Sequence, residues 1–137
     1  MATNVLRYDD DTAFPQTVGA TILAGAPVGI DSGGLVQKAD ADAPLACVGF
    51  LLTDGVSGDV RAVATEGVLQ DSSWNWTVGG PVYLSATPGT YTQTAPTGAG
   101  TYIQILGMAT ASDKILFRPN MASLKLQAAA TSTVAFI

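Results

Sequence analysis

Histidine is absent from this 137-residue chain, and cysteine occurs once, as Cys47. The first absence removes the usual neutral-pH base and the commonest metal ligand, and with them Ser-His-Asp, Cys-His and His-zinc sites. The second excludes an internal disulfide, so the core must hold by burial alone, which a chain of this length can achieve. Charge is scarce as well. Asp, Glu, Lys and Arg make up 12% of the residues, against a usual share of roughly a quarter. The six basic residues stand singly and the formal net charge is −5, so no nucleic-acid partner is expected, because neutralising phosphates takes clustered Lys and Arg. The longest nearly apolar run, Leu45 to Leu52, falls far short of the roughly 20 residues of a membrane helix, and no membrane partner is expected. Met1 to Arg7 leads into Asp9-Asp10-Asp11 with no apolar signal region. A reducing compartment and a free thiol are the expectation.

What the chain has in quantity is apolar residues, 47% of the total, together with 15 Gly and 7 Pro. With a mean hydropathy of +0.32, a monomer would lack the polar groups to cover itself, so apolar area is expected to be buried between subunits. Gly or Pro breaks nearly every ten residues before Pro119, leaving short segments rich in Val, Ile, Leu, Thr and Tyr, which read as strands. Expected strands are Thr17 to Leu23, Pro27 to Ile30, Leu35 to Lys38, Ala46 to Leu52, Val60 to Thr65, Trp74 to Val78, Val82 to Ser85, Tyr91 to Thr94, Tyr102 to Ala109 and Lys114 to Arg118. Asp31-Ser32-Gly33-Gly34 and Thr87-Pro88-Gly89-Thr90 read as tight turns that close hairpins. Only Asn120 to Ala130 has helical composition.

The two halves of the chain echo each other. Gly25-Ala26-Pro27-Val28-Gly29-Ile30 leads through a turn to Val36-Gln37-Lys38-Ala39 and then to Cys47-Val48-Gly49-Phe50. Gly79-Gly80-Pro81-Val82-Tyr83-Leu84 leads in the same order to Thr92-Gln93-Thr94-Ala95 and then to Ile105-Leu106-Gly107-Met108. The prolines at 27 and 81 stand 54 residues apart and the glycines at 49 and 107 stand 58 apart, so the second copy carries longer loops. In each copy Pro starts a strand where its missing N–H does no harm, and Gly49 or Gly107 marks a bend or bulge.

Several residues invite a sharper reading. Trp74 and Trp76 alternate, so on a strand both rings would face one side, either as a stacking platform for a sugar or as packing in a core or interface. Asn75-Trp76-Thr77 is a glycosylation sequon, read as accidental without a secretory signal. Asp9 to Asp11, Asp40 and Asp42 lack the Gly and terminal Glu of a calcium loop and read as solvated turns, so no metal or cofactor is expected. Gly98-Ala99-Gly100 does not continue as a dinucleotide fingerprint, and Thr53-Asp54-Gly55 reverses the order of an aspartic-protease loop. Cys47 lies among apolar neighbours, where burial makes a thiol inert. A hydrolase is disfavoured, and no catalytic residue is assigned.

The runs Gly80 to Ser85, Tyr91 to Pro96, Ile103 to Ala109 and Ile115 to Pro119, with the Pro27 to Ile30 hairpin and Val63 to Val68 of the first half, resemble the head decoration or capsid cement proteins of tailed bacteriophages. The resemblance covers roughly residues 15 to 119; the tail 120 to 137 departs from it. The expected fold is all-β, a small barrel or sandwich built from two related hairpin units. Its expected divisions are an N-terminal arm (1–16), a β domain (17–119) with halves 17–69 and 74–119, and a C-terminal tail (120–137). The resemblance implies a virion protein, made in the host cytoplasm, that sits on the outer surface of an icosahedral head. There it would act as a homotrimer that cements neighbouring major capsid subunits; the alternative is a carbohydrate-binding head-fibre or tail module. The arm lacks a sustained period and is expected to stay mobile alone, with Leu6, Arg7, Tyr8 and Phe14 as candidate capsid contacts.

Overall fold

A computed structural model describes residues 4–8, 13–42, 45–120 and 124–125. Among the described residues thirteen short strands carry the fold and no helix occurs. Strand β1 is Asn4–Tyr8 and β2 is Ala13–Thr17; β3 (Pro27–Ile30) and β4 (Val36–Lys38) form a hairpin, followed by β5 (Gly49–Leu51) and β6 (Val60–Ala64). The sequence then runs through β7 (Gly67–Gln70), a second hairpin of β8 (Pro81–Leu84) and β9 (Tyr91–Thr92), and β10 (Tyr102–Ile103), β11 (Ile105–Ala111), β12 (Lys114–Phe117) and β13 (Leu124–Lys125). Every ladder is antiparallel. The hairpins turn at Asp31–Gly34 and Thr87–Thr90, where Gly34 and Gly89 adopt φ of 81° and 73°, a region that favours a residue without Cβ.

The first sheet has the order β2-β6-β5-β3-β4 and the second the order β1-β7-β12-β11-β8-β9; β10 and β13 make a small ribbon of two strands. Leaving aside β1, the two sheets are the same unit built twice. Each takes a lone strand, a hairpin and two further strands, and arranges them in the same spatial order. The register agrees across the units as well. Pro27 lies opposite Phe50 and Val28 opposite Gly49, as Pro81 lies opposite Met108 and Val82 opposite Gly107. Phe50 then faces Ala64 as Met108 faces Leu116, and Ala13 completes the first row as Val68 completes the second.

The echoed glycines explain themselves in this frame. A Cβ on Gly49 would sit well inside contact distance of the Ala64 carbonyl oxygen and against a methyl of Val63; one on Gly107 would meet the Leu116 carbonyl oxygen and a methyl of Ile115. In both units glycine lets one strand approach its neighbour's backbone, and at Gly107 the ladder shifts register.

Two apolar cores result. One lies within the first sheet and contains Val18, Ile22, Val28, Val36, Leu51 and Val63. A parallel bridge from Val18, just past β2, to Val36 on β4 draws the two edges of that sheet together at one end. The larger core lies between the sheets, where Phe50 and Ala64 from the first meet Leu69, Val82, Leu84, Leu106, Ile115 and Phe117 from the second. Phe50 and Leu51 are neighbours on β5, both fully buried, and belong to different cores. The first sheet is thus covered on both faces. The architecture is sandwich-like, without a closed barrel.

Four stretches pair or loop otherwise than the sequence suggested. Within residues 1–16, expected as an arm, Asn4–Tyr8 pairs with β7 and Ala13–Thr17 with β6; an edge strand takes its hydrogen bonds from a neighbour and needs no period of its own. Val63 to Val68 were expected to close the first half; the strand Gly67–Gln70 lies in the second sheet, between β1 and β12. Trp74–Val78 is a loop, held by the Asp71 carboxylate, which accepts from Ser73 N–H and Oγ, and by the Trp76 N–H donating to Ser112 O at 2.8 Å. In the tail, Leu124 and Lys125 pair with β10 as a strand where helix was expected; residues 126–130 of that stretch lie outside the described residues.

Candidate functional site

Of the four residues expected to touch a partner, three lie on the edge strand of the second sheet and one on the edge strand of the first. Leu6, Arg7 and Tyr8 lie on β1, where Arg7 is opposite Val68 and Tyr8 opposite Gly67. Phe14, on β2 opposite Val63, packs its half-buried ring against the core of the first sheet. That ring also lines a cleft of about 570 Å³ with Val48, Thr65, Glu66, Arg118 and Pro119. Thr65 and Glu66 are the two residues joining the sheets, and Arg118 and Pro119 follow the last strand of the second. Its walls therefore come from both units. Arg118 Nε lies 3.4 Å from Glu66 Oε1, an exposed pair of small energetic weight that sets a polar rim on an apolar pocket. The sequence pointed to Phe14 but not to its five companions, which are scattered over 72 positions from Val48 to Pro119 and carry no shared motif.

Behind the seam runs a chain of aromatic rings. Phe50 meets Phe117 edge-on with centroids 5.0 Å apart, Phe117 meets Tyr91 at 6.2 Å, Tyr91 meets Trp74 at 5.7 Å, and Trp74 meets Trp76 at 5.3 Å. Both tryptophans are half-buried and pack on the core between the sheets. They are packing residues, sited on a loop, and their rings tilt by 45° to one another; the shared strand face assumed for a sugar platform does not form. The Tyr91 hydroxyl donates to Gly25 O at 2.6 Å, stitching the second unit to the first, and burial holds its ionisation well above the ordinary value.

Gln104, fully buried between β10 and β11, is the polar counterpart. Its Oε1 accepts from Cys47 N–H at 2.8 Å, and its Nε2 donates to Cys47 O and to Asn120 O, both at 2.8 Å. One side chain thus satisfies both backbone groups of Cys47 across the seam. The Cys47 thiol itself is buried and donates to Gly49 O, and desolvation pushes its pKa up to about 12, leaving no thiolate for nucleophilic chemistry.

The remaining acidic and glycine-rich candidates resolve into turns. Asp40 accepts from Asp42 N–H, Asp54 from Ala24 N–H, and Gly100 adopts φ of 82° in a loop. Asp9 to Asp11 lie outside the described residues. Among the described residues no group of three or more Cys, Asp and Glu side chains converges on a metal position, and no helix is long and apolar enough to cross a membrane. What the seam offers is an apolar cleft with a charged rim and an added edge strand, features of a binding surface.

A family model described as phage cement protein matches residues 9–115. The chain belongs to that family. No curated protein matches it. A cement protein is a structural component of the phage capsid, and the match runs from before β2 to within β12, so it takes in both units.

Proposed function

We propose that the chain binds the outer surface of an icosahedral phage head as a homotrimer and holds neighbouring major capsid subunits together. Membership of the cement family, over residues 9–115, carries this reading. Packaged DNA pushes outward on such a shell. A bound protein opposes that force by adding contact area across subunit boundaries, and roughly 800 Å² per partner, repeated over the lattice, is enough for stable attachment. The N-terminal strand and the seam cleft supply the contacts: Leu6 and Tyr8 as apolar anchors, Arg7 for register, and the edge of the Phe14 ring in the cleft.

Undecorated heads mixed with increasing cement protein and sedimented give the test. Arg7→Glu and Tyr8→Ala together should raise the half-saturating concentration at least tenfold, while the chain keeps its melting temperature. Saturation at the wild-type concentration would remove the contact role of these residues. No binding of the wild-type chain to heads would remove the capsid reading itself.

A further inference from the structure

The two units use the same face differently. In the first unit the row Pro27, Phe50, Ala64 and Ala13 crosses four strands and is buried under the second unit; Phe50 and Ala64 are inaccessible to solvent. The equivalent row of the second unit is Pro81, Met108, Leu116 and Val68, adjacent in register across β8, β11, β12 and β7. No described residue covers its middle: Met108 is 44% and Leu116 37% exposed, and Ile105, opposite Tyr83 one step along, is 42% exposed. A soluble sheet that faces water normally alternates apolar with polar positions. Across these four strands the outward row is apolar, and Arg7 on the edge strand β1, opposite Val68, ends it.

We infer that this row is the face through which one copy of the chain joins another. Three observations favour a second copy over the capsid as occupant. The same row, in the first unit, is already covered by β structure of this very chain, so the face is of a build this sequence packs against. The chain as a whole has too little charge, 12%, to keep such a patch in water, and contiguous exposed apolar patches mark interaction sites. A face waiting for a shell would stay bare until attachment, whereas self-association covers it as soon as the chain folds, the usual state of obligate interfaces. The inference deepens the homotrimer part of the proposed function and is tested without capsids, so either can fail alone.

The mass of the full chain in solution is measured by light scattering after size exclusion. Wild type should exceed 13.9 kDa by a whole number of copies, and Met108→Lys with Leu116→Lys should run as a folded monomer. A wild-type monomer, or a doubly substituted chain of unchanged mass, overturns the inference. A dimer overturns the homotrimer but supports this face.

Should the charged variant fail to fold, a conservative probe decides. Cys47 is buried, so Met108→Cys introduces the single accessible thiol, and its maleimide labelling should be at least tenfold slower than that of Ser57→Cys in an exposed turn. Equal rates overturn the inference. So does slow labelling of a monomer, which would give the face to another part of the same chain.

Discussion

The first and second sheets share strand order, register and the position of a glycine pressed against its neighbour's backbone, yet they live in different surroundings. Among the described residues the first has protein on both faces, the second on one. Equivalent positions therefore carry unequal weight: Phe50 sits in the larger core, while Met108, its counterpart, is exposed in the single chain. The comparison teaches that a repeated β unit does not make a repeated energy. What a side chain contributes is set by what its unit packs on.

The sharpest break of the comparison is Phe50→Ala, which opens a cavity between the sheets and should lower unfolding free energy by about 3–5 kcal/mol. Met108→Ala, measured in the dissociated chain, should cost less than about 1 kcal/mol. Chemical denaturation of the two variants side by side checks this; similar losses would mean that the units are energetically alike. Gly49→Ala and Gly107→Ala come next, each expected to cost about 1–3 kcal/mol because a strand must shift to make room. Gly49→Ala should be the worse of the two, since its sheet has no solvent-facing side into which to relax. The melting temperatures of the pair rank them.

A seam substitution probes the join between units. Gln104→Leu leaves the Cys47 N–H and carbonyl without their partner, and should cost about 1–3 kcal/mol in denaturant melts. The smallest effect is confined to the first hairpin. The Asp31 carboxylate accepts from Leu35 N–H, the Gln37 amide and Gly33 N–H, and the first two of these chiefly hold its pKa below the ordinary 3.8. A carboxyl depressed in the folded state adds stability above its unfolded pKa and loses it as pH falls through the lower folded value. Thermal melts of wild type should therefore drop more steeply below about pH 4 than those of Asp31→Asn. The second hairpin has Ser85 where the first has Asp31 and contributes no such acid limb.

Local signals made much of this legible. Both hairpins were readable because Gly34 and Gly89 sit where positive φ is needed and because proline opens a strand in each copy. The lone strands β2 and β7 were not. Ala13-Phe14-Pro15-Gln16-Thr17 has a proline at its centre and no alternation, and it becomes a strand because it lies on a sheet edge, where the missing N–H is harmless. Gly67–Gln70 follows β6 so closely that the chain alone assigns it to the first half; its partners, β1 and β12, lie more than fifty residues before it and more than forty after it. Trp-Asn-Trp-Thr-Val had the right period for a strand and formed a loop, because Asp71 and Ser112 claim its backbone. Gln104 left one trace, a lone amide inside an apolar run, without a hint of the Cys47 backbone it satisfies.

The sealed Cys47 has a bearing on durability. Many copies of a protein held close together are well placed to cross-link whenever thiols reach the surface. This chain carries one sulfhydryl, 0% exposed and with a pKa near 12, so passage from reducing to oxidising surroundings should neither rivet copies to one another nor mark them with mixed disulfides. A coat made of it would keep the same covalent structure before and after leaving a cell. Its hold on itself and on any neighbour would be non-covalent throughout.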